Sequence, residues 1–165
     1  MASMQDMTGF EALILDMQGE TFAIDAIQVS EILDMVPVTE VPNSQPFANG
    51  LINVRGKVVP LCDLRLKFGM ERTEATGDTR IVVVDVELNG VPTTVGILAD
   101  KVHEVTGLAT ASLTETPKVG MRWRPEFIRC VARHGDDFII VLDLPSILQS
   151  GLRTGPDSAA DSAAA

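Results

Sequence analysis

The sequence predicts a mainly β chain built from two small barrels of about five short strands each, and three observations lead there. Short apolar runs alternate with turn residues along most of the chain, as in "FEALILDMQGETFAID" and "RIVVVDVELNGVPTTVGILAD". One pattern then recurs: "FAIDAIQVSEI" (22–32) lies on "VGILADKVHEV" (95–105) at an offset of 73 residues, pairing Ile24 with Ile97, Ala26 with Ala99, Val29 with Val102 and Glu31 with Glu104. Farther along, "PFANGLINVRGKVVPLCDL" lies on "EFIRCVARHGDDFIIVLDL" at an offset of 80, with Phe47 on Phe127, Asp63 on Asp143, Leu64 on Leu144 and a one-residue slip near Gly56 and Gly135. This period is too long for a solenoid. Two short-stranded units that hide their edges by closing read as paired barrels, and because each core alone is thin, an apolar seam with a groove beside it is expected between them.

Taken in order, "FEALILDMQG" and "ETFAID" form a hairpin turning at Gln18-Gly19-Glu20. In "DAIQVSEILDM", Ile24, Ile27 and Ile32 depart from period two, which predicts a short helix or turn-rich crossing from about Ala26. "VPVTEVP" is extended and, bounded by Pro37 and Pro42, belongs at a sheet edge. "PNSQPFANG" is a loop; "GLINVRG" and "KVVPLCDL" are strands about a turn; "LRLKFG" makes a helical turn. The clearest hairpin turns at Asn89-Gly90. "KVHEVTGL" follows, then a variable stretch around "TETPKVGMRWRP", and two strands with a short C-terminal helix close the fold. The folded unit is expected over residues 10–150, with 151–165 a disordered tail whose small polar residues bury too little to offset ordering.

The net charge of −10 argues against nucleic acid and anionic membrane surfaces as partners. The N-terminus lacks a basic and apolar leader, and no apolar run reaches membrane-spanning length, so a cytoplasmic chain with no direct membrane insertion is expected. Cys62 and Cys130 match no metal spacing and read as two free, buried thiols, a disulfide being the lesser alternative. His103 and His134 have no paired ligand, so no metal and no cofactor is expected. Asp63 and Asp143, at equivalent places in the repeat, point to helix N-caps and not to an acid-base pair. Phosphate loops, nucleophile elbows and kinase signatures are absent, which argues against an enzyme.

"GLINVRGKVVPLCDLRLKFG", with "FAIDAIQVSEIL" before it and "RIVVVDVELNGVPTTVGILADKVHEV" after it, resembles the CheW-type coupling proteins of bacterial chemotaxis, in order from about Phe10 to Gln149. The resemblance implies two intertwined five-stranded SH3-like barrels with short connecting helices. It also implies a non-catalytic adaptor, recruited to membrane receptor arrays, that links chemoreceptor cytoplasmic tips to the regulatory domain of the histidine kinase CheA. Carried over position by position, Val29 and Glu31 match the V-x-E segment, Arg55 and Gly56 the N-x-R-G turn, and Val105 the end of the second V-x-E-V element, while Gly50 and Gly96 match family glycines. These seven are the expected partner-binding residues. At the position of Gly50 the second copy has Cys130.

Each of these residues has a plainer reading. Arg55 is either a solvated turn residue in an ion pair worth under about 1 kcal/mol, or a planar fork held by Glu31 and offered to a partner. Glu31 and Glu104 also read as solvated helix-face carboxylates; Val29, Ile32, Val102 and Val105 as core; Gly50, Gly56 and Gly96 as backbone necessities. Trp123, between Arg122 and Arg124, reads as an interface anchor or as a half-buried barrel residue. The competing function is a small barrel that binds oligonucleotides or oligosaccharides, which needs a basic or aromatic face that this composition does not supply.

Overall fold

The computed structural model describes residues 9–42, 50–71, 73–110 and 125–152. Two-residue turns set the register of the hairpins. β1 (Gly9–Met17) and β2 (Glu20–Asp25) join through Gln18-Gly19, β5 (Gly50–Val54) and β6 (Lys57–Cys62) through Arg55-Gly56, and β7 (Arg80–Leu88) and β8 (Val91–Ala99) through Asn89-Gly90. All six turn residues have positive φ: 52° and 76°, 53° and 84°, 54° and 79°. This is the type I′ pattern, whose twist matches that of paired strands. β10 (Ile128–His134) and β11 (Asp137–Leu142) turn through Gly135 and Asp136.

The first sheet closes as a five-stranded barrel in the order β1-β2-β11-β10-β9, with β9 spanning Lys101–Thr110. It therefore takes its first hairpin from one repeat and its other three strands from the second. The other sheet, β3-β7-β8-β6-β5-β4, does the reverse, with β3 at Val29–Asp34 and β4 at Thr39–Glu40. The two repeats are thus exchanged, and the connections β2 to β3 and β8 to β9 cross from one barrel to the other. Parallel pairing in the two barrels coincides under the repeat: Val141 lies opposite Ala23 and Leu61 opposite Gly96.

The six strands of the second sheet reduce to the same five. β9 pairs with β1 along most of its length and reaches β10 through Ala109 and Thr110. At the 73-residue offset, these last two positions are Val36 and Pro37. Pro37 has no N–H to donate to a ladder. The strand breaks there, β3 staying on β7 while β4 pairs with Leu51 and Gly50 of β5. β3 and β4 are one interrupted strand.

Strand alternation explains why so much of the chain is apolar on both faces. Ala12 and Ile14 of β1 point into the first barrel with Ala23, Leu108, Ile139 and Val141; Ile81 and Val83 of β7 point into the second with Ile52, Val54 and Val59. The intervening residues, Leu13, Leu15 and Met17 on β1 and Val82, Val84 and Val86 on β7, meet in one core between the barrels. The helix α2 (Leu144–Leu152) adds Ile147 and Leu148 to that seam. The seam is filled, so the groove expected there is not what the side chains build.

The short, turn-rich crossing expected from about Ala26 is present after β2. Only Ala26–Gln28 is helical, as a single 3-10 turn, and Glu31 and Ile32 lie on a strand. The short helix α1 (Leu64–Lys67) and the two aspartate caps are as expected: Asp63 accepts from the N–H of Arg65 at 3.1 Å and Asp143 from that of Ser146 at 3.1 Å. Trp123 with its flanking arginines, most of the loop before Gly50 and the tail beyond Leu152 lie outside the described residues.

Candidate functional site

Arg55 stands at the tip of the β5–β6 hairpin with a φ of 53°, a left-handed conformation that costs a non-glycine residue roughly 1–2 kcal/mol. The turn is held by the Asn53 side chain, whose Oδ1 accepts from the N–H of Gly56 at 2.9 Å, so three of the four N-x-R-G positions have a structural duty. The arginine itself is free to face outward. Its Nε donates to Glu31 Oε2 at 3.1 Å across the opening between β3 and β5, the guanidinium side chain 80% exposed and the carboxylate 23%. Glu31 takes up this position because a bulge between Val29 and Glu31 shifts β3 against β7. A charged fork fixed at its base and open to solvent can be bound by a carboxylate or a carbonyl of a partner.

The other expected residues do not all join this pair. Gly56 adjoins it, and Val29 begins the same strand, half-buried against the central core. Gly50 is at the far end of β5, where a Cβ would meet Val38 Cγ1 at 2.7 Å. Gly96 is inside the second barrel; a Cβ there would lie 3.1 Å from Ile81, 3.2 Å from Ile52 and 3.4 Å from Leu61. Close packing sets both glycines, and neither offers a contact surface. Val105 is 52% exposed on β9 of the first barrel, and its repeat mate Ile32 is also exposed, against the expectation of burial for both. Alternation alone did not say which face of β3 or β9 looks inward.

One feature was missed from sequence. Arg65, on the four-residue α1, is buried at 2% exposure, its Nε and Nη2 each 2.9 Å from the Asp63 carboxylate and its Nη1 3.1 Å from Asp100 Oδ1. The bonded Asp63 carboxylate raises the arginine's already high pKa further, against the opposing effect of burial. Asp100 also accepts from the N–H of Gln18, and the Gln18 side chain donates to the carbonyl of Glu71 and to Thr73 Oγ1. The network ties the β1–β2 turn of one barrel to the end of β6 in the other. The only sequence trace was an arginine two residues beyond a capping aspartate.

Cys62 is buried and free, and burial, reinforced by Asp63, pushes its thiol up to about 12. Cys130 is also free but only half-buried, its thiol raised by burial. Among the described residues, no group of three or more His, Cys, Asp or Glu side chains is placed to hold a metal ion. Among the described residues, no helix is long and apolar enough to cross a membrane. A hollow of about 660 Å³ opens at the turn end of the first barrel, and none of the seven expected residues lines it.

Two exchanged barrels that share one core and present a braced charge on an exposed hairpin tip define a paired-barrel module. The chain belongs to the CheW-like domain family, whose sequence profile matches residues 11–151. It is 30% identical over 145 residues to the chemotaxis protein CheW of Klebsiella aerogenes, covering 88% of this chain and 85% of that one. It is 26% identical over 157 residues to the chemotaxis protein CheW of Bacillus subtilis, covering 92% and 96%. Among solved structures, the scaffolding protein TtCheW from Thermoanaerobacter tengcongensis matches with a TM-score of 0.70 and 28% identity over 84% of this chain and 86% of that one.

Proposed function

We propose that this protein is a cytoplasmic chemotaxis adaptor that couples the cytoplasmic tips of chemoreceptors to the regulatory domain of CheA, without catalysis of its own. Membership of the CheW-like family along nearly the whole folded chain carries this reading. Contact with the receptor is made around Arg55, Gly56, Glu31 and Val29, and the exposed Val105 lies on the other barrel. Gly50 and Gly96 act indirectly, by fixing the strands from which this surface is built. The folded unit is residues 10–150, although α2 runs to Leu152, and the remaining tail is dispensable. An oligonucleotide-binding barrel is not favoured, because the net charge of −10 repels phosphates.

The test is reconstitution: receptor-containing vesicles and purified CheA, with autophosphorylation measured as this protein is titrated in. Kinase activity that rises and becomes receptor-controlled only in its presence supports the adaptor; activity indifferent to it refutes the proposal.

A further inference from the structure

The chain crosses between the barrels twice, and the repeat makes the two crossings equivalent. They are held differently. At the second crossing Asp100 is the single residue between β8 and β9: its Oδ1 lies 3.1 Å from Nη1 of the buried Arg65, its Oδ2 accepts from the N–H of Gln18 at 2.6 Å, and its own N–H donates to the Asp16 carbonyl at 2.9 Å. At the first crossing the 73-residue offset puts Ile27 in the place of Asp100, and the 80-residue offset puts Pro145 in the place of Arg65. Both halves of the ion pair are missing. Ile27 is 88% exposed, and no residue of its 3-10 turn is buried. Among the described residues, the long-range side-chain tie on this crossing is a surface one: Arg129 Nη1 donates to Asp25 Oδ2, and the Arg129 Cζ lies 5.0 Å from the centre of the Phe10 ring.

We propose that the β2–β3 crossing, residues 25–29, is a hinge braced by Arg129, and that its state sets where Glu31 stands relative to Arg55. Hinge motion is absorbed by a few residues at the ends of elements, and local opening costs least where little apolar contact is lost. The exposed turn Ala26–Gln28 meets both conditions, whereas opening at Asp100 would break a buried, charged network. With one crossing pinned and the other not, β3 is the strand free to shift against the first barrel. The shift reaches the candidate site directly. β3 begins at Val29, is paired on one side, with β7, and carries Glu31 just past a bulge. Across the opening to β5, Glu31 is held by the exposed bond to Arg55, which is too weak to fix the strand by itself. The hinge is a property of the free chain and does not rest on the adaptor role.

Residue-resolved hydrogen exchange on the full chain, native and Arg129→Gln, tests this. The N–H groups of Ile27 and Val29 are hydrogen-bonded, to Asp25 Oδ1 and to the Ala26 carbonyl, as that of Asp100 is to Asp16. Corrected for intrinsic rates, Ile27 and Val29 should exchange together and about tenfold or more faster than Asp100. Arg129→Gln leaves the Asp25 cap in place. It should speed Ile27 and Val29 by about fivefold, the worth of an exposed ion pair with its ring contact, and leave Asp100 unchanged. In the same variant the Arg55 Nε–H resonance, which reports the bond to Glu31, should shift. A thermal melt close to that of the native protein separates local from global opening. Equal exchange at Ile27 and Asp100 in the native protein, no change at Ile27 and Val29 in Arg129→Gln, or an unmoved Arg55 resonance would each overturn the hinge.

Discussion

Arg65 grips Asp63 with two parallel hydrogen bonds of 2.9 Å, and its remaining terminal nitrogen reaches across to Asp100, at the point where the chain passes from one barrel to the other. A buried guanidinium is tolerated only when its donors are satisfied, and removing one partner of such a set leaves an uncompensated charge.

Arg65→Met and Asp63→Asn should therefore behave differently. Asp63→Asn leaves the buried cation with Asp100 as its one remaining carboxylate partner and should lower stability by about 3 kcal/mol, the low end of the cost of breaking a buried pair. Arg65→Met leaves Asp63 the N-cap bond and Asp100 the Gln18 N–H, and should cost less. Urea unfolding of both variants decides; an Asp63→Asn loss no larger than that of Arg65→Met would mean that Asp63 acts chiefly as a cap, a role asparagine keeps.

Gly96→Ala should destabilise by about 1–3 kcal/mol, the usual cost of overpacking a filled core. The new methyl meets Ile81, Ile52 and Leu61 within 3.4 Å. Ile52→Val removes one of the crowding atoms, so the double variant should lose less than the sum of the two single variants. Strict additivity in a double-mutant cycle would contradict the close-packing account. In the first barrel the equivalent position is Ala23, fully buried, which shows that the same register tolerates one methyl where the facing side chains leave room.

The half-buried Cys130 should react with a maleimide well before the buried Cys62 at neutral pH. A thiol whose folded pKa is raised from 9.0 to about 12 contributes stability that is fully present below pH 9 and lost as the pH climbs towards 12. The stability of native protein relative to Cys62→Ala should accordingly shrink above pH 9, as read from paired melts; a constant difference would show that Cys62 ionises normally.

How far the sequence revealed this arrangement depended on the range of the interaction. The hairpins were legible because Gln18-Gly19, Arg55-Gly56 and Asn89-Gly90 are local turn chemistry, and the paired barrels because the repeat keeps its offsets along the chain. The exchange of hairpins, the filled seam and the Arg65 network were not, since each joins residues that only the fold brings together. Pro37 was read correctly as an edge signal, but its role in splitting one strand into β3 and β4 emerged from comparing the barrels. The Glu31 and Arg55 pairing was legible as a pair, through family resemblance; of the other residues carried over from the family as partner-binding, Gly96 lies inside the second barrel and Val105 on the first.

Arg55 can be altered without disturbing its turn, because asparagine accepts positive φ more readily than arginine does. Arg55→Asn should melt within a few degrees of native, since the exposed ion pair is worth about 1 kcal/mol or less and strain is relieved. Calorimetric titration of this variant and of native protein with a receptor-tip helical hairpin is the most direct test of the adaptor surface. Affinity reduced tenfold or more at an unchanged melting temperature is the expected result; identical affinities would place the receptor contact elsewhere and contradict the account.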